Sequence, residues 1–167
     1  MAAQILGAYF KAVIDSMLSS TATLLFPQHR KRLDEMRDDE WYPMDEYVRM
    51  INELHAKLGD NTMTALGQAS IQKTIHLTKA AGFDTLEKIF SNFDALSAAV
   101  VKDRAPHETV RTVSLGKDTA VLESAARIPP SLLVGYFRGI LFAFGKLVTH
   151  QEVERKGDIV RFTVKWV

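Results

Sequence analysis

The most informative stretch of the sequence is Asn92-Phe93-Asp94-Ala95-Leu96-Ser97, a little past the middle of a 167-residue chain. Its apolar residues Phe93 and Leu96 continue an upstream stripe of apolar residues at helical spacing. Asp84 or Thr85 can cap a helix of this kind at its N-terminus. The pattern therefore predicts one helix that begins near residue 85 and runs through Leu96.

Upstream of this stretch, the chain has a helical pattern from its first residues. Pro27 and Pro43 stand where first helical turns are expected, and Gly59 and Gly82 stand where helices are expected to end. The helices predicted on this basis span residues 2–22, 27–38, 43–59 and 61–82.

Downstream, the pattern changes to strands. Residues 109–115 and 119–124 flank a short glycine-containing loop, and so do residues 149–155 and 159–166, which predicts two hairpins. The last run alternates strictly between apolar and polar residues. This period of two predicts that Phe162 and Trp166 point into the core and that Arg161 and Lys165 face solvent.

Between the hairpins, Pro129-Pro130 begins a long apolar helix. Gly135 and Gly139 lie on one side of it and allow another backbone to come close, within the core or, as the alternative, at a dimer contact. The predicted fold class is α+β, a helical N-terminal part followed by an antiparallel sheet of about four strands with the long helix between its two hairpins. Because no repeat or linker divides the sequence, we expect one domain over residues 1–167.

Composition argues against several classes of protein. With 21 Lys and Arg against 20 Asp and Glu, no charge field favours nucleic acid or a membrane surface. The basic run 29–32 is followed at once by acidic residues, which is typical of a solvated helix face. No segment reaches the roughly 18 apolar residues of a membrane span. Because Lys11 and Asp15 interrupt the apolar N-terminus and cysteines are absent, we expect no signal peptide and a cytoplasmic protein.

Residues with catalytic or metal-binding chemistry are scattered along the chain. No two histidines lie within four residues of each other, so no helical metal-binding pair exists. The serines lack a nucleophile-elbow context, and no glycine-rich phosphate loop is present. We therefore predict a protein that is not an enzyme and holds no metal or cofactor. The five histidines are His29, His55, His76, His107 and His150.

Several short runs, taken in order, resemble haem nitric oxide/oxygen-binding (H-NOX) domains. Residues 89–97 are similar to the segment whose Asn-Leu-Asp-x-Leu-His run holds the haem iron in that family. Residues 42–47 resemble its acidic helix, residues 58–67 its Leu-x-x-Phe-Gly region, and residues 139–140 and 162–166 its closing helix and strand. The resemblance implies an H-NOX-like fold, related to 4-vinyl reductase domains and to TRAPP vesicle-tethering subunits.

The haem-binding residues of that family are replaced in this chain. Ser97 stands in place of the axial histidine, and a hydroxyl is a poor ligand for haem iron. Residues 122–126 stand in place of the Tyr-x-Ser-x-Arg motif that grips the haem propionates, and only Ser124 is kept. Arg127 comes one residue late, which in a strand turns a side chain to the opposite face. The resemblance thus implies a retained fold without haem. Of the histidines, His76 follows Ile75 on a helix that we expect to be an inner one, and this position makes it the fallback iron ligand.

In the resembling fold, the macrocycle lies between the N-terminal helices and the helix of the iron ligand. We expect the corresponding volume here to be refilled by side chains or to hold a new apolar ligand, because protein interiors are close-packed. The side chains available to refill it are Phe90, Phe93, Tyr136, Phe137, Phe142 and Phe144. The residues expected to line a pocket are Tyr9, Phe10, Val13, Phe93, Ser97, Leu122 and Ser124.

Three functions fit these expectations. The first is a haem-less H-NOX-like sensory or regulatory module with a pocket for a small hydrophobic ligand. The second is a protein-interaction scaffold with a filled core, acting as a homodimer or with a partner protein in an assembly. The third is a haem-based gas sensor with a different axial ligand. A structure with an open or a filled volume beside Ser97 distinguishes the first from the second.

Overall fold

The computed structural model describes residues 2–105, 108–125 and 127–167. The N-terminal part is mainly helical, as predicted. Its elements are β1 (Gln4–Leu6), α1 (Gly7–Asp15), α2 (Ser19–Leu25), α3 (Pro27–Asp34), β2 (Trp41–Pro43), α4 (Met44–Ala80), α5 (Leu86–Ser91) and α6 (Phe93–Val100). The remaining elements are β3 (Val101–Lys102), β4 (Arg111–Leu115), β5 (Thr119–Ser124), α7 (Pro130–Ala143), β6 (Val148–Lys156) and β7 (Ile159–Trp166).

The predicted helix over residues 2–22 is wrong at both ends. Its start is strand β1, the centre of a small antiparallel sheet in the order β2-β1-β3. Helix α1 begins at Gly7, where a Cβ would lie 2.0 Å from the Arg37 carbonyl oxygen, so the chain can pass there only as glycine. The helix ends at Asp15, and Leu18, which completes the predicted stripe, is 76% exposed.

The two helices predicted over 43–59 and 61–82 form the long element α4, which is interrupted at Gly59. This glycine has φ of 75°, in the left-handed region that glycine adopts without strain. Its conformation breaks the regular helix geometry and makes a kink between the two halves. The prediction that the first helix ends at Gly59 is therefore confirmed, although the second half follows directly.

The helix predicted from residue 85 through Leu96 is two helices, α5 and α6, with a break at Asn92. Thr85 caps α5, as expected, through a hydrogen bond from the Lys88 amide. Asn92 leaves the helical region, with φ of −141°, and its side-chain oxygen accepts a hydrogen bond from the Ala95 amide at 3.3 Å. Asn92 is thus the N-cap of the short helix that carries Ser97.

Two hairpins form one four-stranded antiparallel sheet in the order β4-β5-β7-β6, which confirms the α+β prediction. Strand β7 has the predicted alternation: Phe162 is 0% and Trp166 5% exposed, whereas Lys165 is exposed and Arg161 lies on the same outer face. Leu122 of β5 lies opposite Phe162 and is also buried. The inner face of the sheet therefore packs against the helices.

Helix α7 crosses α4 at very short range. A Cβ at Gly135 would lie 2.2 Å from the Thr64 carbonyl oxygen, and one at Gly139 would lie 2.8 Å from the Gln68 carbonyl oxygen. Gln72 of α4 also donates a hydrogen bond to the Gly139 carbonyl at 3.0 Å. The two glycines therefore serve helix packing within this chain, which is the favoured interpretation of the sequence.

Two residues of the predicted aromatic cluster, Phe137 of α7 and Phe90 of α5, join these helices to the sheet. The Phe137 ring lies 5.2 Å from that of Phe162, and Phe90 stacks on Trp166 at 5.6 Å. Phe142, which the sequence assigns to this cluster, is 55% exposed because it lies near the end of α7, on the side away from the core. Within the described residues, no helix is long and apolar enough to cross a bilayer.

Candidate ligand cavity

A half-enclosed cavity of about 130 Å³ lies between α1, α4, α6 and α7. Ser97 of α6 is on its wall, together with Phe93 one helical turn before it. Much of the wall is aliphatic or aromatic, with Ile5, Val101, Val110, Leu133 and Ile140 among its members. The expected volume beside Ser97 is therefore present in the structure as a cavity.

One wall of the cavity carries hydroxyl groups from α4. Ser70, Thr74 and Thr78 are spaced four residues apart, which places them on one helix face, and each is at most 6% exposed. Ser70 donates to the Gly67 carbonyl at 2.8 Å, and Thr74 donates to the Ser70 carbonyl at 3.1 Å. Because these two hydroxyl protons are used within the helix, this wall presents mainly methyl groups and acceptor oxygens to the cavity.

Three phenols of the cavity wall keep their protons. The Tyr47 and Tyr136 hydroxyls share a hydrogen bond of 2.7 Å, and the Tyr9 hydroxyl pairs with that of Thr78 at 3.1 Å. Burial raises the pKa of Tyr136 to about 12. Burial also raises the pKa of Tyr47 and of Tyr9 above the ordinary phenol value. At neutral pH, all three are uncharged hydroxyls and not phenolates.

The cavity wall has one charged side chain among its described residues, that of Arg104. It follows β3, and burial lowers its pKa while the charge of Glu108 opposes that change. It also interacts electrostatically with the Tyr47 hydroxyl. The sequence did not single out Arg104, because it lies in a connection between strands where no periodic pattern predicts which way a side chain points.

The seven predicted pocket residues divide into two groups. Tyr9, Phe93 and Ser97 line the cavity. The other four are buried but do not line the cavity. Phe10 of α1 packs its ring on Tyr42 and Tyr47. Val13 is in the interior of α1, and Leu122 and Ser124 belong to strand β5.

The fallback iron ligand His76 is exposed and does not line the cavity, so its expected inner position is wrong. On helix α4, the nearby residues Ile75 and Thr78 face the cavity, whereas His76 points away from it. His107 and Ala126 lie outside the described residues. Within the part of the chain that is described, no group of three potential metal-binding side chains exists.

The residues that stand in place of the propionate-binding motif have other partners. Glu123 is 6% exposed and accepts hydrogen bonds from Arg111 and Arg161, each with a closest distance of 2.6 Å. Arg127 lies 2.8 Å from Asp45 and 3.8 Å from Glu108, and it does not line the cavity. These ion pairs hold Glu123 and Arg127 outside the cavity wall.

No protein-family model matches this sequence, and no curated protein matches it. Its structure is similar to an oxygen-binding H-NOX domain related to soluble guanylate cyclases, solved as an oxygen complex, with a TM-score of 0.65 at 16% identity over 96% of this chain and 92% of that one. A mutant H-NOX domain of T. tengcongensis gives a TM-score of 0.65 at 16% identity over 96% and 95% of the two chains. A Cs H-NOX mutant carrying 4-cyano-L-phenylalanine gives 0.64 at 16% identity, over 96% and 92%. The fold is therefore H-NOX-like.

Proposed function

We propose that this chain is a haem-less H-NOX-like sensory or regulatory module that binds a small hydrophobic molecule in its cavity. The observation that carries the proposal is a mainly apolar cavity beside Ser97, the residue that stands in place of the axial histidine. Concave sites with apolar walls and a few polar groups are typical of small-molecule binding. A module of this kind responds to its ligand through differential affinity for two conformations.

The donor groups of the cavity do not fit haem. Among the described residues of the wall there is no histidine, and Ser97 offers a hydroxyl. A tyrosine binds haem iron as a phenolate, and metal ligands must give up their protons. The raised pKa values of Tyr9, Tyr47 and Tyr136 oppose that loss. This chemistry supports a ligand other than haem and counts against the gas-sensor hypothesis.

The size of the cavity also favours a small ligand. Its volume of about 130 Å³ is close to that of an engineered apolar protein cavity, about 150 Å³, which binds benzene or xenon. A porphyrin has four pyrrole rings and needs several times the space of benzene. The cavity therefore suits a molecule with one ring or a short alkyl chain.

The cavity also supports ligand binding over the scaffold hypothesis. A scaffold with a filled core needs no void, and voids in a protein interior cost roughly 20–30 cal/mol per Å³. We propose further that the module is not an enzyme. In the described part of the wall, no histidine, carboxylate or lysine is present to serve as an acid or base.

The experiment is native mass spectrometry and solvent extraction of the purified protein and two variants. Ser97→Phe fills the cavity from α6, whereas Ala98→Phe adds the same ring at the next residue, which is exposed and does not line the cavity. We expect a co-purifying apolar molecule in the wild type and in Ala98→Phe, and its loss in Ser97→Phe. No bound molecule in any of the three, or equal binding in both variants, contradicts the proposal.

A further inference from the structure

Arg104 lines the apolar cavity without a direct partner for its charge. Among the described residues, no hydrogen bond reaches its side chain and no carboxylate lies within 4 Å of its guanidinium, although its burial is sufficient to lower its pKa. The other arginines of this region do have partners, as Arg127 does with Asp45 at 2.8 Å. Arg104 is half-buried, and charges that are withdrawn from water are normally paired, so an unpaired one at a cavity wall has room for an anionic ligand.

The charges around Arg104 limit what that anion can be. Glu108 is the acidic group that acts on it, and Glu108 is shared with Arg127, whose Nε lies 3.8 Å from its carboxylate. Arg127 is paired with Asp45 at 2.8 Å, so these two arginines and two carboxylates carry no net charge together, and what Arg104 lacks is a carboxylate in direct contact. A monoanion can make that contact while adding a single negative charge, whereas a dianion such as a phosphate monoester brings two into an apolar site.

The shape of the guanidinium and the neighbouring hydroxyls favour a carboxylate. The planar fork of arginine matches the two oxygens of a carboxylate. The Tyr47 hydroxyl lies within electrostatic range of Arg104 and shares one hydrogen bond with Tyr136, so that one of the two phenol protons is not used between them. Both phenols are neutral, and Tyr136 also contacts the Ser70 hydroxyl, so the pair has at most one phenol proton to donate to an anion.

We propose that Arg104 anchors the carboxylate of a compact hydrophobic monocarboxylic acid, an aromatic or short-chain one, inside the cavity. The apolar part of the molecule then packs on the aliphatic and aromatic wall formed by Phe93, Val101 and Leu133. This inference rests on the proposed function, since it names the chemical class of the ligand for the same cavity.

The test is calorimetric and ligand-observed NMR titration of the full chain with benzoate, benzamide, toluene and inorganic phosphate. Benzamide has the shape of benzoate without its charge, and toluene keeps only the apolar part. We expect benzoate to bind about tenfold or more tightly than benzamide, since a hydrogen bond to a charged group is worth about that factor.

Two variants of Arg104 and one matched control test whether Arg104 is responsible for the tighter binding of benzoate. Arg104→Met is expected to weaken benzoate binding about tenfold or more and to leave toluene within about twofold. Arg104→Lys keeps the charge but not the fork, so its loss is expected to be smaller. Lys102→Met removes the same charge two residues earlier, where Lys102 packs on the Trp41 ring and does not line the cavity, and it should leave benzoate within about twofold.

The results separate this inference from the proposed function. Equal affinity for benzoate and benzamide, an Arg104→Met loss no larger than that of Lys102→Met, or phosphate binding tighter than benzoate overturns the carboxylate anchor and leaves the cavity function standing. Failure of all the organic probes to bind overturns both. Because removal of a half-buried charge that has no direct partner is not expected to destabilise the fold, an unchanged or raised Tm of Arg104→Met confirms that the variant is folded.

Discussion

The two sides of α7 differ in how completely they are packed. Toward the sheet, Phe137 and Phe162 are both 0% exposed, and their rings lie 5.2 Å apart in an edge-to-face arrangement. Toward α4 and α6, Tyr136 and Ile140 face a cavity of about 130 Å³. The same helix therefore closes a dense core on one side and forms the wall of a cavity on the other.

This difference indicates where stability and function are located. The packed side follows the usual density of protein interiors and stabilises the fold. The cavity side keeps a void and an arginine without a direct partner, both of which lower stability unless a ligand compensates for them. Substitutions on the two sides should accordingly have different effects on stability and on binding.

The largest effect is expected at Phe162, on the packed side. Phe162→Ala should lower the free energy of unfolding by about 3–5 kcal/mol, because a fully buried ring leaves a void that its neighbours cannot close. Lys165→Ala, three residues later in β7 and exposed, should change it by less than about 0.5 kcal/mol. Equal denaturation midpoints for the two variants would mean that the register of β7 is wrong.

A smaller effect is expected at Phe93, on the cavity side. Its ring contacts Phe137 at 5.7 Å and also borders the cavity, so it has fewer packing partners to lose. Phe93→Ala should cost about 2–3 kcal/mol in denaturant melts and should alter binding of the apolar ligand. A loss clearly above 3 kcal/mol with no ligand detected in either protein would favour the filled-core scaffold.

A substitution in the contact between α7 and α4 should affect both stability and ligand binding, because both helices also form walls of the cavity. Gly135→Ala places a Cβ 2.2 Å from the Thr64 carbonyl oxygen, so the helices must move apart. Overpacking of this kind typically costs about 1–3 kcal/mol, and we expect thermal melts to show it together with weaker ligand binding. Arg138→Ala, on the exposed face of the same helix, is the control and should leave binding unchanged. Wild-type stability for Gly135→Ala would contradict the close crossing.

The smallest effect concerns pH and the outer face of the sheet. Hydrogen bonds from Arg111, and then from Arg161, lower the pKa of Glu123 below its ordinary value of 4.5. Its ionised form therefore stabilises the fold above that value, and this contribution is lost as the pH falls through the lowered pKa. Glu123→Gln should lose about 1 kcal/mol near neutral pH, because both arginines are partly exposed, and the difference from wild type should shrink in acid. A difference that does not change with pH would exclude this charge effect.

Elements with a long regular pattern could be predicted from the sequence, and very short ones could not. The alternation in β7 correctly predicts which residues face the core. The two glycines of α7 correctly predict a close contact with another helix. Strands β1, β2 and β3 have only two or three residues each, and their pairing partners are distant in sequence. Ile5 and Leu6 fit a helical stripe as well as a strand, so local pattern alone assigned them to a helix.

The sequence predicts where the cavity lies, but it predicts only some of the residues that line it. The resemblance placed Tyr9, Phe93 and Ser97 around one volume, and these three line it. The hydroxyl residues of α4 do carry a signal in the sequence, because Ser70, Thr74 and Thr78 recur every four residues on an otherwise apolar helix face. Arg104 offers no such signal, because a side chain in an irregular connection is oriented by tertiary contacts alone.

The absorption spectrum of protein expressed with an ample supply of haem tests most directly whether the cavity excludes haem. A cavity of about 130 Å³ with Ser97 and neutral phenols on its wall should not retain the macrocycle. We expect a colourless protein without a Soret band. A stoichiometric Soret band in the purified protein would contradict it and would restore the haem-sensor hypothesis.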